Sequence, residues 1–424
     1  MPKPKFQTPK GMHDILEENW EYFNRIFEVA ESFANFYNFE RIETPVLEEE
    51  ELFTRGIGLA TDIVQKEMFT LKTKGGDHLA LRPEGTAPVV RAYIQHGMQT
   101  LPQPVKLWYF SQFFRYEHPQ AGRFRQFWQF GFEILGEQNP ALDAQVILIF
   151  YKILKELGFE NLVIKINSIG DSFCRPYYKK ALVSYLKHKV HALCTDCKRR
   201  LKENPLRVLD CKQDRCRQIV SQAPQILNYL CEGCKNHLKS VLEFLDELQL
   251  PYNLDPYLVR GLDYYTKTVF EIFEESEKGK AIGALAGGGR YDNLAKILGG
   301  GEVPAVGGAA GVERIIELMK EKQVKLSKER KPKIFLAQIG DLAKKKSLKL
   351  IEEFREEKIP IYESIGKDSL KAQMKLADKF GVRYVLIFGQ QEALNDEILL
   401  RDMETGKQKK LKLKNLIKEV KKIL

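Results

Sequence analysis

The stretch whose reading decides the fold is Leu107-Trp-Tyr-Phe-Ser-Gln-Phe-Phe-Arg-Tyr-Glu-His-Pro-Gln-Ala-Gly-Arg-Phe-Arg-Gln-Phe-Trp-Gln-Phe-Gly-Phe-Glu-Ile-Leu135. Two aromatic-rich runs, 107–114 and 127–135, flank the polar loop His118-Pro-Gln-Ala-Gly-Arg, which predicts a long β-hairpin. Side chains alternate between the faces of a strand, so Gln129, Gly131 and Glu133 share one face while Trp128, Phe130, Phe132 and Ile134 share the other. Arg115 and Glu117 likewise point the same way. One face suits a core; the other is a polar floor with a glycine that lets a ligand sit close. A half-solvated antiparallel sheet would show the same alternation.

Working outward, residues 20–37 carry Phe23, Phe27, Ala30 and Ala34 at helical spacing. Residues 39–47 alternate and contain Pro45, which predicts an edge strand. The segment Leu81-Arg-Pro-Glu-Gly-Thr-Ala-Pro precedes a helix-like run at 89–96. Its Thr86 and Glu84 either serve the helix N-terminus or bind an ammonium group. Residues 172–248 are charged and mostly helical, and read as an insertion. Strand-like sequence resumes at 258–273, opening with Leu-Val-Arg-Gly-Leu-Asp-Tyr-Tyr, in which Arg260 precedes Tyr264 and Tyr265. A glycine-rich turn then leads to a helix after Gly311. The glycine runs Ala286-Gly-Gly-Gly-Arg-Tyr-Asp-Asn and Pro304-Ala-Val-Gly-Gly-Ala-Ala-Gly-Val-Glu-Arg match neither a P-loop nor a dinucleotide-binding fingerprint.

Residues 321–333 read as a charged linker. Beyond it, apolar runs at 334–337 and 383–389, separated by a helical segment at 342–358, predict a small α/β domain with a partly parallel sheet. Residues 401–424 hold nine Lys or Arg against three acidic residues. The 407–422 stretch is either a phosphate-contacting surface or an amphipathic terminal helix with a solvated basic face.

A chain of 424 residues with 44% hydrophobic and 29% charged residues is globular and holds two or three domains. No apolar run approaches the length of a membrane span, since Lys152 breaks the best stretch. The start, Met1-Pro-Lys-Pro-Lys-Phe, has no apolar signal core, so a cytoplasmic location is expected. A net charge of +10 suits a polyanionic partner or a heat-adapted surface. Six of the seven cysteines fall between Cys194 and Cys234. Their spacing suits one tetrahedral Zn²⁺ on Cys194, Cys197, Cys231 and Cys234, with Cys211 and Cys216 as substitutes for one pair. Reduced cysteines in a helical core and disulfides are the alternatives.

Taken in order, these segments resemble the class II aminoacyl-tRNA synthetases, and within them the histidyl-tRNA synthetase family. Residues 39–47 are similar to motif 1, residues 114–129 to motif 2 and residues 307–314 to motif 3. The two Arg-bearing blocks at 258–265 and 286–292 resemble the signatures peculiar to the histidine enzymes.

The resemblance implies an α+β fold: an antiparallel-sheet catalytic core in residues 1–171 and 249–322, a helical Cys-rich insertion in 172–248, and an α/β anticodon-binding domain in 331–424. It implies ATP-dependent ligation of L-histidine to tRNA(His) through a histidyl-adenylate, by a homodimer using ATP with Mg²⁺. Arg115 and Arg260 would act at the α-phosphate, with Glu117, Arg123 and Arg314 also binding ATP. Glu84, Thr86 and Gln129 would hold the α-amino group. Glu133 with Tyr264 or Tyr265 would bracket the imidazole, and Tyr291 lies in the second histidine signature. Gln120 would meet the tRNA acceptor end, although His118 departs from the arginine often found there. Any zinc would be structural. The rival is a non-catalytic paralogue, the regulatory subunit of ATP phosphoribosyltransferase, which lacks the C-terminal domain and erodes the ATP-site arginines.

Overall fold

The computed structural model describes residues 5–120, 122–275, 283–326 and 332–424. The chain divides into two units, Met1–Leu326 and Ser327–Leu424. In the first, eight strands form one sheet in the order β1 (Glu40–Arg41), β5 (Val105–Phe114), β6 (Gln126–Leu135), β11 (Ala305–Gly311), β10 (Ala286–Arg290), β9 (Thr266–Glu274), β7 (Leu162–Ser168), β8 (Tyr252–Leu254). Pairing is antiparallel from β5 through β7, while the short edge strands β1 and β8 run parallel to their neighbours. A smaller sheet in the order β2 (Leu47–Glu49), β4 (His78–Leu81), β3 (Thr70–Lys72) belongs to the same unit.

The hairpin forms as its alternation dictates. Trp108 opposes Phe132 and Phe110 opposes Phe130, whereas Tyr109 opposes Gly131 and Ser111 opposes Gln129. The aromatic face packs with helices Glu17–Phe36, Pro140–Glu156 and Val312–Glu321 into one core. The middle helix starts sharply because the Asn139 side chain accepts from the Ala141 N–H at 3.0 Å and proline occupies its first turn. Its buried residues lie on most of its circumference, as expected of a helix inside a core.

Four expectations change. Only the second half of 258–273 is a strand, since 258–265 is an irregular loop. The glycine runs are not turns; they form the central strands β10 and β11. In 39–47 the edge strand shrinks to the two residues of β1, with the exposed Pro45 following it. The linker also differs from a wholly solvated one, because Val324 and Leu326 pack on the core of the first unit; its residues 327–331 lie outside the described residues.

Behind the sheet sits a buried polar knot. Arg290, fully buried at the end of β10, donates from Nε (3.1 Å) and Nη2 to the Asp143 carboxylate, and from Nη1 to the Glu137 carbonyl at 3.2 Å. His237, from the insertion helix Glu232–Glu247, meets Asp143 Oδ1 at 3.1 Å. Burial alone would raise the Asp143 pKa, but Arg290 and His237 outweigh it and hold the group below its ordinary value.

The second unit is a five-stranded sheet in the order β13 (Tyr362–Glu363), β12 (Ile334–Gln338), β14 (Tyr384–Phe388), β15 (Glu397–Asp402), β16 (Gln408–Lys412). The first three are parallel and the last two antiparallel, which gives the partly parallel α/β unit expected. Helix Asp341–Glu356 falls where expected. Helix Leu370–Phe380, capped by Ser369 and closed by Gly381 at φ +66°, had escaped the sequence reading. Residues 407–422 are a strand and then the short helix Leu416–Lys421, with Leu416 and Val420 buried, rather than one amphipathic helix.

Replacing Asp143 by Ala leaves the Arg290 guanidinium uncompensated in the interior, and is expected to cost about 3–5 kcal/mol in urea unfolding. A depressed carboxylate adds stability above its unfolded pKa and loses it as pH falls through the folded one. In wild type this contribution therefore disappears below about pH 4, and Asp143→Asn should lack that acid limb.

Candidate active site

The centre of the large sheet's open face is mostly glycine and alanine, flanked by Glu271, Tyr109, Glu133 and Leu107. One row across five strands reads Glu271, Gly287, Ala309, Gly131, Tyr109, and the next reads Gly289, Gly307, Glu133, Leu107 from β10 to β5. Large polar groups lie flat on this floor. A methyl at Gly287 would come within 2.6 Å of Arg260 Nη1, and one at Gly307 would strike Glu133 Oε2. On the other face, Gly308 stands against Phe150 and Phe270, so the same strand also admits the core closely. Glycine weakens a strand in isolation, and here close approach on both faces accounts for it. At Gly131 the expectation needs correction. The space over it, and over Gly85, is filled by the Tyr109 ring and not left for a ligand.

The pocket beyond this floor collects the carboxylates and tyrosines. Glu84 accepts from the backbone N–H groups of Thr86 (2.8 Å) and Ala87 (2.9 Å), the first residues of helix Thr86–Gln95. Glu84 is thus the group that serves the helix N-terminus, while the Thr86 hydroxyl turns away and donates to Glu133 Oε1 at 2.8 Å. Tyr264 donates to Glu84 Oε2 at 3.2 Å, and Tyr291 donates to Glu133 Oε2. Tyr264 stacks obliquely with Tyr265 at 4.7 Å and lies 5.8 Å from Tyr291. Burial raises the pKa of Glu84, partly opposed by its backbone donors. Burial likewise pushes Glu133 up to about 8, with hydrogen bonds from Tyr291 and Thr86 opposing and the neighbouring Glu84 adding repulsion. Gln129 sits one row away, between Ser111 and Gly311.

The arginines line the adjoining stretch. Arg115, just past β5, donates from Nε to the Pro83 carbonyl at 2.8 Å and lies over the Phe127 ring. In the hairpin loop Arg123 pairs with Glu117 at 3.3 Å, and Gln120 and Arg123 exchange backbone hydrogen bonds, leaving Gln120 and His118 exposed. The loop's Ala121 is outside the described residues. Gly122, at φ +66°, packs against Arg314, so the loop reaches the start of helix Val312–Glu321. Burial, then repulsion from Arg123, lowers the Arg314 pKa. Arg260 is ion-paired with Glu271; burial disfavours its charge, but Glu271 more than compensates and raises its pKa. Arg260 Nε and the Tyr109 hydroxyl are buried with no hydrogen-bond partner among the described residues.

Loop 258–265 is held by its carbonyls. Asn167 donates to Leu258 O (2.9 Å), Arg207 to Arg260 O (2.9 Å) and Arg175 to Tyr265 O (2.6 Å). Arg175 and Arg207 come from the insertion, and neither spacing nor periodicity marked them. Tyr109 was legible from the alternation that exposed Gly131. Glu313, to which the sequence reading assigned no role, accepts from the Trp128 N–H with its carboxylate, continuing the β6 ladder, and burial raises its pKa to about 8.

The set Cys194, Cys197, Cys231 and Cys234 is not brought together, whereas the alternative in which Cys211 and Cys216 replace one pair is. Cys194 and Cys197 gather with Cys211 and Cys216, while Cys231 and Cys234 gather with Cys174 and Asp171. The second C-x2-C pair begins a long helix anchored at the far end of the insertion, which keeps it from the first pair.

A carboxyl whose folded pKa is raised binds its proton more tightly folded than unfolded, so it loses stability as pH rises from its unfolded value to the folded one. With Glu133 and Glu313 both at about 8, the substrate-free protein should melt at progressively lower temperature between pH 5 and 8. Glu133→Gln should flatten that decline in a thermal series, and an unchanged slope would contradict the assignment.

A sequence model described as Histidyl-tRNA synthetase matches residues 11–315, and one described as Anticodon binding domain matches residues 333–423. The chain is 44% identical to a histidine–tRNA ligase of Dehalococcoides mccartyi, covering 98% of this chain and 99% of that protein. It is 43% identical to the enzyme of the same name from Acetivibrio thermocellus, with the same coverage. Its fold superposes on apo histidyl-tRNA synthetase of S. aureus with a TM-score of 0.81 at 36% identity, over 98% of this chain and 99% of the other. With both matched regions in their expected order and the sheet, pocket and arginines arranged as above, the chain belongs to the histidyl-tRNA synthetase family.

Proposed function

We propose that the open face of the eight-stranded sheet activates histidine with ATP, residue by residue as follows. The protein is a histidine–tRNA ligase that joins L-histidine to tRNA(His) through a histidyl-adenylate, using ATP with Mg²⁺ and releasing pyrophosphate and AMP. The observation that carries the residue assignment is the juxtaposition of a closed Glu–Tyr pocket with an open arginine row on one glycine floor.

The histidine carboxylate must attack the α-phosphate, so two anions approach and the site has to supply positive charge and alignment. Arg115 and Arg260 serve at the α-phosphate, Arg260 with an unspent Nε donor. Glu117 takes the adenine amino group, Arg314 covers the base, and Arg123 meets the distal phosphates. Glu271, beside Arg260, offers a hard oxygen of the kind Mg²⁺ accepts, and the ion when bound offsets phosphate charge. Glu84, Thr86 and Gln129 receive the α-ammonium group. Glu133, Tyr264, Tyr265 and Tyr291 frame the imidazole, and a pocket built to pair both ring nitrogens rejects analogues that leave it unpaired. The terminal ribose hydroxyl of the tRNA then takes the histidyl group, with Gln120 in the exposed loop meeting the acceptor end.

The functional divisions are a core in 1–171 and 249–322, the insertion in 172–248 and anticodon recognition in 331–424. The exposed Val46 and Leu47 after Pro45 support a homodimer joined through this segment. No described helix is long and apolar enough to cross a membrane, and the reading places the enzyme in the cytoplasm. The insertion carries structural zinc outside the chemistry. The regulatory-subunit rival is disfavoured by the four arginines and by the second unit, 327–424.

ATP–pyrophosphate exchange with each amino acid tests this reading. Histidine alone should support it, Arg260→Ala should lower it roughly 100-fold or more, and Glu133→Ala should abolish the histidine-dependent exchange. A folded wild-type protein without exchange would sink the proposal. In the second unit Lys409, Lys410 and Lys412 are ion-paired to Glu419 or Glu397, which spends part of the basic tail internally. Replacing Lys407 and Lys414 together should weaken tRNA binding and reduce the salt slope by roughly 2; an unchanged slope would remove these lysines from the interface.

A further inference from the structure

We propose that the chain binds two structural zinc ions, one on Cys194, Cys197, Cys211 and Cys216 and the other on Asp171, Cys174, Cys231 and Cys234. This deepens, and rests on, the reading of the insertion as zinc-bearing. Within each group the ligand atoms lie within 4.8 Å of one another. All seven cysteines of the chain are used, including Cys174, which no sequence spacing had explained.

The distances carry the argument. A tetrahedral zinc with bonds of about 2.3 Å to sulfur sets its thiolates about 3.8 Å apart along each edge. Cys194 Sγ and Cys211 Sγ are 3.8 Å apart, and so are Cys174 Sγ and Cys234 Sγ. A disulfide needs about 2.05 Å, so these thiols are gathered without being joined. Backbone N–H groups point at the sulfurs, as they do where thiolate charge collects: Cys197 N to Cys194 Sγ at 3.4 Å, Cys194 N to Cys216 Sγ at 3.3 Å, and Asp171 N to Cys174 Sγ at 3.4 Å. In the second group Asp171 divides its carboxylate. Oδ1 accepts from the N–H groups of Phe173 (2.9 Å) and Cys174 (3.1 Å), which leaves Oδ2 facing Cys231 Sγ at 3.8 Å. Gly170, at φ +67°, lets the Cys174 sulfur approach to where a methyl would sit 2.6 Å from it. An all-thiolate or thiolate-rich tetrahedron selects Zn²⁺ over Mg²⁺ or Ca²⁺.

The placement gives each ion a task. The first closes the segment that carries Asn204 and Arg207, whose side chains hold Asp263 Oδ1 at 2.7 Å and the Arg260 carbonyl. The second ties the start of the insertion to its last long helix across sixty residues of chain. It lies beside Arg175, which holds the Tyr265 carbonyl. A clip that closes a long loop removes much chain entropy from the unfolded state.

Metal analysis of the full-length dialysed protein should find two zinc ions per chain, and its zinc X-ray absorption should show about 3.5 sulfurs and a minority oxygen ligand per ion at tetrahedral distances. No thiol should react with a chromogenic disulfide until a chelator releases both ions. Cys216→Ser and Cys174→Ser should each retain one ion. Because a cysteine variant can fail to fold, Asp171→Asn is the gentler probe: it should leave the first ion in place and speed chelator release of the second severalfold. One zinc in wild type, with Cys174 reactive, would overturn the second site; no zinc, iron in its place, or disulfides would overturn both. Histidine-dependent pyrophosphate exchange on the same preparation separates the two readings, since an active protein without zinc refutes this inference alone.

Discussion

The structure depends on a floor without side chains. Two central strands give up the packing that valine or isoleucine would supply, and Arg260, Glu133 and Tyr265 occupy the volume so released. A sheet of ordinary composition would hold these groups several ångströms higher, with their charges in solvent. The loss of strand propensity is offset behind the sheet, where Phe130, Phe132, Phe150 and Phe270 form a dense aromatic layer. The Arg290–Asp143 pair fixes the end of β10 to the central helix, so the weakest strand by sequence is anchored by one of the strongest contacts.

The hairpin was legible to within two residues because residues 128–134 alternate and the aromatic runs flank the polar segment His118-Pro-Gln-Ala-Gly-Arg. The first long helix followed from its periodicity, and the terminal α/β unit from its spaced apolar runs, whereas helix Pro140–Glu156 was weighed only as a membrane span. The glycine strands were misread as a turn because glycine reports permissiveness and carries no period. Whether it marks a turn or a crowded strand depends on what lies above it, and that comes from loop 258–265, far away in sequence. The pocket residues were found through family motifs, and the physical reading ranked several as helix caps or surface charges. Glu84 shows that both can hold: it does serve a helix end, and it faces the pocket while doing so. The cysteine partners could be read only as alternatives, since spacing within each C-x2-C pair says nothing of which pairs meet, and Asp171 and Cys174 were not read as partners of the second pair.

The insertion is therefore mechanically part of the loop at 258–265. Its Arg175, Arg207 and Asn204 grip three successive points of the loop that bears Arg260 and the two tyrosines. Asp62 is gripped in turn by Arg200, with Arg199 and Arg207 close by; burial would raise its pKa, but Arg200, then Arg207 and Lys66, outweigh burial and lower it. Motion of the insertion against the core would be transmitted directly to Arg260.

Tyr109 has a consequence for how such a sequence can drift. Its ring occupies the space above both Gly85 and Gly131, so neither glycine can acquire a side chain while the tyrosine stays, and loss of the tyrosine alone leaves a hollow between two bare backbones. The three positions are a single heritable unit: change at any one is accepted only with a compensating change at the others, and a mutational library that varies them singly will find each of them immovable.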